Sequence, residues 1–246
     1  MEEEVMLTKK EKRELAKEQK KDERDKTLFA QRVRKFLVWL FLAGIFLFIG
    51  FKTWRWISAP TPEVAGEAIE VKEDDWVRGN KEARVILIEY GDYQCPACAT
   101  YNPFVIKLSE EFQEDLKIVY RHFPLITIHK NSMPSAQAAE AAGKQSKFWE
   151  MHDLLYDKQS EWAEAGDAKE KFSEYAKSLG LDEQKYISDY DSGEVKSLIN
   201  SDLAKANSLR LNATPTFFLN GEKVQPRSYE DFKSLVETQI KGYTLE

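Results

Sequence analysis

The stretch ARVILIEYGDYQCPAC at residues 83–98 decides the fold. Its Val85-Ile86-Leu87-Ile88 run is apolar without alternation, which predicts a strand buried on both faces, and therefore a central strand of an α/β sheet. After Gly91-Asp92-Tyr93-Gln94 comes Cys95-Pro96-Ala97-Cys98, and then a helix whose Phe104, Val105, Leu108 and Phe112 share one face. Pro103 sits inside that helix and should kink it.

Downstream, Leu116 to Arg121 reads as a second strand. Four stretches then read as helices: Ala136 to Gln145, Phe148 to Tyr156, Lys169 to Leu179 and Glu194 to Leu209. Pro215 to Leu219 returns to strand, Asn220-Gly221 is a strong hairpin signal, and Glu222 to Gln225 continues it. Ser228 opens a last helix striped by Phe232, Leu235, Val236 and Ile240, with Asp231 in the place of a capping-box Glu. The order βα, β, helical block, β-hairpin, α is that of a thioredoxin fold with a helical insertion at about 130–210 in a domain spanning 76–246.

The chain has two cysteines, three positions apart, so no disulfide framework holds its loops. At the start of a helix such a pair lies one turn apart, with a Cα separation inside the ~4.4–6.8 Å disulfide window. Cys95 takes the N-cap position, where the free N–H groups of Ala97 and Cys98 and the helix dipole favour a thiolate. It is the expected nucleophile, exposed at the helix tip, and Cys98 the shielded resolving thiol. Pro96 occupies the first helical position, where its missing N–H costs nothing. Zinc is the competing reading. It needs two further ligands, and His122, His129, His152 and the carboxylates stand at no ligand spacing, so no metal and no cofactor are expected. A static structural disulfide is the other, and a four-residue loop would constrain the unfolded chain little. The three histidines are assigned no chemistry.

Phe36 to Phe51, FLVWLFLAGIFLFIGF, is 16 uncharged residues, about 24 Å of helix against a bilayer core of about 30 Å. Lys35 and Lys52 can snorkel at its ends, and Trp54 and Trp56 supply interfacial anchors. Arg24, Lys26, Arg32, Arg34 and Lys35 precede it, and Lys52 and Arg55 follow, so the positive-inside rule places the N-terminus in the cytoplasm and the domain outside. The expected organisation is a charged cytoplasmic tail at 1–35, a single transmembrane helix at 36–57, an extended linker with Pro60, Pro62 and Gly66 at 58–75, and the domain. A cleaved signal peptide ending near Ile57-Ser58-Ala59 is the rival, opposed by the long tail and the missing A-x-A pattern. Residues 1–35 carry 12 Lys/Arg against 9 Asp/Glu, and the remainder 24 against 33. So acidic a domain is a poor nucleic-acid binder.

Several of these features together resemble one family. They are IEYGDYQCPAC, Pro103 five residues past the second cysteine, RHFPL at 121–125, the alanine-rich helix followed by Phe148-Trp149-Glu150-Met151-His152, and Ala213-Thr214-Pro215-Thr216-Phe217-Phe218. From about residue 75 to 246 the chain resembles the DsbA-like branch of the thioredoxin superfamily, including the BdbD-type enzymes of Gram-positive bacteria. The resemblance implies a cis proline at Pro215 facing the disulfide, with Thr214 before it offering backbone groups to a substrate segment. It implies that Glu89, six residues before Cys95, is a buried acid that moves protons during exchange. Strand alternation puts Glu89 on the face of Leu87, and an ordinary strand-end carboxylate remains open. The resemblance also implies thiol-disulfide exchange with cysteine-containing extracytoplasmic proteins, as an oxidase reoxidised by a quinone-linked membrane partner of the DsbB or VKOR kind. A reductase or isomerase fed by a transmembrane electron donor, and a redox-inactive peptide-binding module, are the alternatives.

Overall fold

A computed structural model describes residues 35, 37, 39–41, 43–52 and 70–244, and the chain divides into two units at Pro60. In the first unit the described residues are helical. Among the described residues no helix is long and apolar enough to cross a membrane. The expected span at 36–57 is described only in part. The expected tail, but for Lys35, and the linker as far as 69 lie outside the described residues.

The second unit is built on a five-stranded sheet: β1 Trp76–Gly79, β2 Val85–Gly91, β3 Leu116–His122, β4 Thr216–Leu219 and β5 Glu222–Val224, in the order β1-β3-β2-β4-β5. β2 runs parallel to β3 and antiparallel to β4, and the edge pairs β1·β3 and β4·β5 are antiparallel. The helices are α1 Pro96–Glu111, α2 Ser132–Gly143, α3 Phe148–Asp157, α4 Gln159–Trp162, α5 Lys169–Ser178, α6 Glu183–Tyr190, α7 Gly193–Ser208 and α8 Tyr229–Thr244. Six of them lie between β3 and β4, so a thioredoxin-like α/β sheet carries a helical block.

β2 is the central strand its apolar run requires. Leu87 packs toward Val105 and Leu108 of α1 and Phe232 and Val236 of α8. On the opposite face Ile88 and Tyr90 join Val119, Phe218 and Ala206. Pro103 lies inside α1 and does not end it. α2 is the hub of the helical block because it is almost all small: Ala138, Ala139, Ala141 and Ala142 are fully buried, which lets neighbouring helices approach from several sides. Its last residue, Gly143, lies under the Trp76 ring, where a Cβ would come within 2.3 Å of ring carbon. Trp76 stacks on Phe148 at 4.4 Å and so ties the sheet edge to α3.

The Asn220-Gly221 turn has positive φ at both residues, 47° and 84°, the conformation that two-residue hairpins favour. Asn220 also locks the hairpin onto β2, accepting from Ile86 N–H at 2.8 Å through Oδ1 and donating its own N–H to Ile86 O at 2.8 Å. Ser228 Oγ accepts from Asp231 N–H, and Asp231 Oδ2 reaches back to Arg227 N–H, so the last helix opens on a reciprocal cap. Residues 70–75 are fastened to the domain by buried Arg121, which donates to Glu70 O and to both Asp75 oxygens.

Candidate redox-active site

Cys95 caps α1 in an extended conformation (φ −73°, ψ 121°), and Pro96 starts the helix. Pro96 and Ala97 are exposed, whereas Cys95 is 7% exposed and Cys98 is fully enclosed. Cys95 is thus less open than a helix tip suggests, and Cys98 is the more enclosed of the two. The cover comes from the far end of the chain. The Thr214–Pro215 peptide is cis, and the Thr214 carbonyl oxygen lies 3.4 Å from Cys95 Sγ. Both Thr214 and Pro215 are half-buried.

The loop before the motif is braced on all sides. Asp92, whose side chain is fully enclosed, accepts from Gln94 N–H at 2.8 Å, Leu125 N–H at 2.9 Å and His129 Nδ1 at 2.7 Å. Its carbonyl accepts from Cys95 N–H at 3.0 Å. Gln94 donates to Ala163 O and accepts from Asn131 N–H, each at 2.6 Å. Gln159 donates to the carbonyls of Tyr93 and Cys95 at 2.7 and 3.0 Å. Sequence reading missed these braces. Asp92 and Gln94 stand next to the motif, but their partners in the helical block leave no local signal.

The electrostatics separate the two thiols. The neighbouring Cys98 thiol holds Cys95 down to about 5, against the opposing effect of burial; the N–H groups of Cys98 and Ala97 add to it. No N–H of the helix makes a formal capping bond to the sulfur. The main donor is therefore the second cysteine rather than the helix end. Burial pushes Cys98 well above the ordinary thiol range, with the Cys95 sulfur and Glu89 adding to it. At neutral pH Cys95 is a thiolate and Cys98 a thiol, the division of labour that disulfide exchange requires.

Glu89 lies on β2 between Tyr120 and Phe217 in register and is 1% exposed. Burial raises its carboxyl to about 8, against the pull of Arg78 and with a smaller push from Cys95. It is neutral at pH 7 and can hold a proton near the cysteines. The histidines all meet carboxylates: His122 Nε2 with Glu140 at 2.8 Å, His129 with Asp92, and His152 Nδ1 with Asp153 at 2.9 Å. Among the described residues no three His, Cys, Asp or Glu side chains are grouped to hold a metal.

A sheet with a cysteine pair at a helix start, and a cis proline beside it, defines a class of protein before any comparison is made. Comparison agrees: the family model described as thioredoxin matches residues 71–238, and the chain belongs to that family, among its DsbA- and BdbD-type thiol-disulfide oxidoreductases. Similar solved structures are BdbD from Bacillus subtilis in its oxidised form, with 25% identity, a TM-score of 0.60 and coverage of 67% of this chain and 92% of that one. A thioredoxin-like oxidoreductase from Silicibacter pomeroyi has 26% identity, a TM-score of 0.59 and coverage of 73% and 96%. Among curated relatives, a Na(+)/H(+) antiporter NhaA 1 of Mycolicibacterium vanbaalenii is 36% identical over 206 residues, 82% of this chain. The match occupies 32% of that protein, so the chain spans about a third of its length.

Proposed function

We propose that this chain is an extracytoplasmic, membrane-anchored oxidase that introduces disulfides into cysteine-containing proteins. What supports the reading is the placing of Cys95 at the α1 N-cap against the cis Thr214–Pro215 peptide, over an enclosed Cys98, together with a Cys95 thiol lowered to about 5 beside a Cys98 thiol raised by burial. A stabilised thiolate favours the reduced pair, and so makes the disulfide a better electron acceptor. A substrate thiolate attacks Cys95 Sγ, forming a mixed disulfide as Cys98 leaves. A second substrate thiolate then attacks the substrate sulfur and releases reduced Cys95. Thr214 and Pro215 form the loop along which the substrate segment lies, and Glu89 supplies and receives the Cys98 proton. A quinone-linked membrane protein of the DsbB or VKOR kind reoxidises the pair.

Thiolate absorbance against pH, together with a glutathione redox titration, tests the direction of the reaction. The expected result is a Cys95 transition near 5 and a potential between about −120 and −270 mV. A transition above about 8 with a potential below about −250 mV makes the chain a reductase.

The anchor is the uncharged run of 16 residues from Phe36 to Phe51, with Lys/Arg gathered on its N-terminal side. External protease added to spheroplasts is expected to digest the domain and spare the tail before Lys35. A protected domain, or a mature N-terminus near Pro60, overturns this topology.

A further inference from the structure

Beyond the cysteines, α1 shows two different faces. Tyr101 and Phe104 pack on Phe217 and Tyr229, with ring centroids at 5.5 and 6.1 Å, and Val105 and Leu108 enter the core. Ala99, Asn102, Pro103 and Ile106 recur at i, i+3, i+4 and i+7 and so share another face of the helix. With the last turns of α3 they line an open groove of about 590 Å³ that begins one residue past Cys98.

The groove combines apolar walls with acceptors that lack donors. Asn102 is 5% exposed and its Oδ1 has no hydrogen-bond partner, an uncommon state for a buried polar atom. Pro103 has no N–H to offer the Ala99 carbonyl one turn back, which leaves a second acceptor beside it. Asp153 and Asp157 bring carboxylates to the C-terminal end of α3, where the helix dipole disfavours negative charge and the last turn holds no basic residue. Arg78 takes both oxygens of Asp153 at 2.7 Å, whereas the Asp157 side chain is 72% exposed and meets Lys158 at 3.7 Å. Glu110 extends the acidic rim, and Lys107, the cation of the lining, is drawn over the Tyr229 ring at 3.8 Å. Between these groups the surface is that of Ala99, Pro103, Ile106 and the Tyr156 ring, whose hydroxyl is engaged by Tyr120 at 3.0 Å.

We propose that this groove is a subsite for an arginine side chain of the polypeptide that exchanges disulfides with Cys95. The proposal rests on the thiol-disulfide reading above and adds a preference among its substrates. The aliphatic stem of the arginine lies along Pro103 and Ile106 while the guanidinium donates to Asn102 Oδ1 on the inner wall and to Asp157 at the rim. A guanidinium suits the place better than an ammonium, because it is more weakly hydrated and its five donors in one plane reach several acceptors at once. Asn102 stands seven positions after Cys95, about 10 Å along the helix axis at ~1.5 Å per residue. An extended chain covers that distance in about three residues at ~3.3 Å each, so the arginine falls within about three residues of the reacting cysteine.

The test uses the oxidised full chain and peptides with one cysteine and an arginine, glutamine or glutamate three residues before or after it. Mixed-disulfide formation is followed by acid quench and mass spectrometry. On one side of the cysteine, arginine is expected to react faster than glutamine by about fivefold to tenfold, between an exposed ion pair and a buried charge-assisted bond. Glutamate should be slower than glutamine, and both differences should shrink as salt is raised. Asn102→Leu keeps the volume and removes the orphan acceptor; Asp157→Asn removes an exposed rim charge. Each should lower the arginine-to-glutamine ratio toward one, and Asn102→Leu should melt no lower than wild type, because it breaks no hydrogen bond. A ratio near one in the wild type, or a ratio that both folded variants leave unchanged, overturns the subsite. Labelled peptides with serine for cysteine, titrated by fluorescence anisotropy, separate the subsite from the chemistry. Arginine-dependent binding without exchange keeps the subsite and overturns the thiol-disulfide reading, and exchange without an arginine preference does the reverse.

Discussion

Cys95→Ser is expected to abolish covalent capture of substrate altogether, whereas Cys98→Ser should accumulate a mixed disulfide stable enough to isolate on a non-reducing gel. The asymmetry follows from the site. Only Cys95 is both reachable and a thiolate at neutral pH, while Cys98 is enclosed and kept protonated by burial. Removing Cys98 takes away the resolving thiol together with the largest influence on the Cys95 thiolate. The Cys98→Ser variant should therefore also show a Cys95 transition moved upward from about 5. Capture by Cys98 alone would exchange the two roles.

Glu89→Gln is expected to stabilise the oxidised protein at neutral and alkaline pH and to leave it unchanged in acid. The wild-type carboxyl sits at about 8 in the fold against an ordinary 4.5. A raised carboxyl favours the fold fully below 4.5, and that contribution is lost as pH rises through 8. Glutamine does not titrate, so the gain of the variant grows from nothing below pH 4.5 to a maximum above pH 8. At pH 7 it is on the order of 3 kcal/mol. Urea unfolding of the disulfide form at pH 4, 7 and 9 measures it without interference from the thiols, whose push on Glu89 is the smallest of its causes. Equal stabilities of variant and wild type at pH 9 would mean that Glu89 ionises freely. The same substitution removes the group proposed above as the proton donor for Cys98, so on that reading stability should rise as exchange slows, a trade common where a buried charge serves function.

Much of this was legible because it is local. Val85-Ile86-Leu87-Ile88 announces a central strand, Cys95-Pro96 a helix start, Asn220-Gly221 a hairpin turn, and each needs only its neighbours to be read. What was not legible depends on distant partners. β1 is four residues long and carries no alternation of its own; its place is set by Trp76 stacking on Phe148 and donating to Glu140, 64 positions away. α6 has an N-cap at Asp182 but buries only Tyr186 and Tyr190, too few apolar residues to mark a helix in advance. The depressed Cys95 thiol was expected from the helix terminus, whereas the larger influence is Cys98. His152 read as a packed residue, and its packing is real.

The braces on the motif loop bear on how far the molecule can be cut down. An inserted block is usually regarded as cargo, removable from its host scaffold without harm. Here Ala163 and Gln159 are clamps: they hold Gln94 and the carbonyls of Tyr93 and Cys95 from within the block, and Asn131 at its threshold holds Gln94 as well. Excising residues 132–208 to leave a bare thioredoxin core would strand those groups and release the segment that leads into Cys95. The helical block is a splint for the turn that carries Cys95, and a minimised version of this protein would have to supply another.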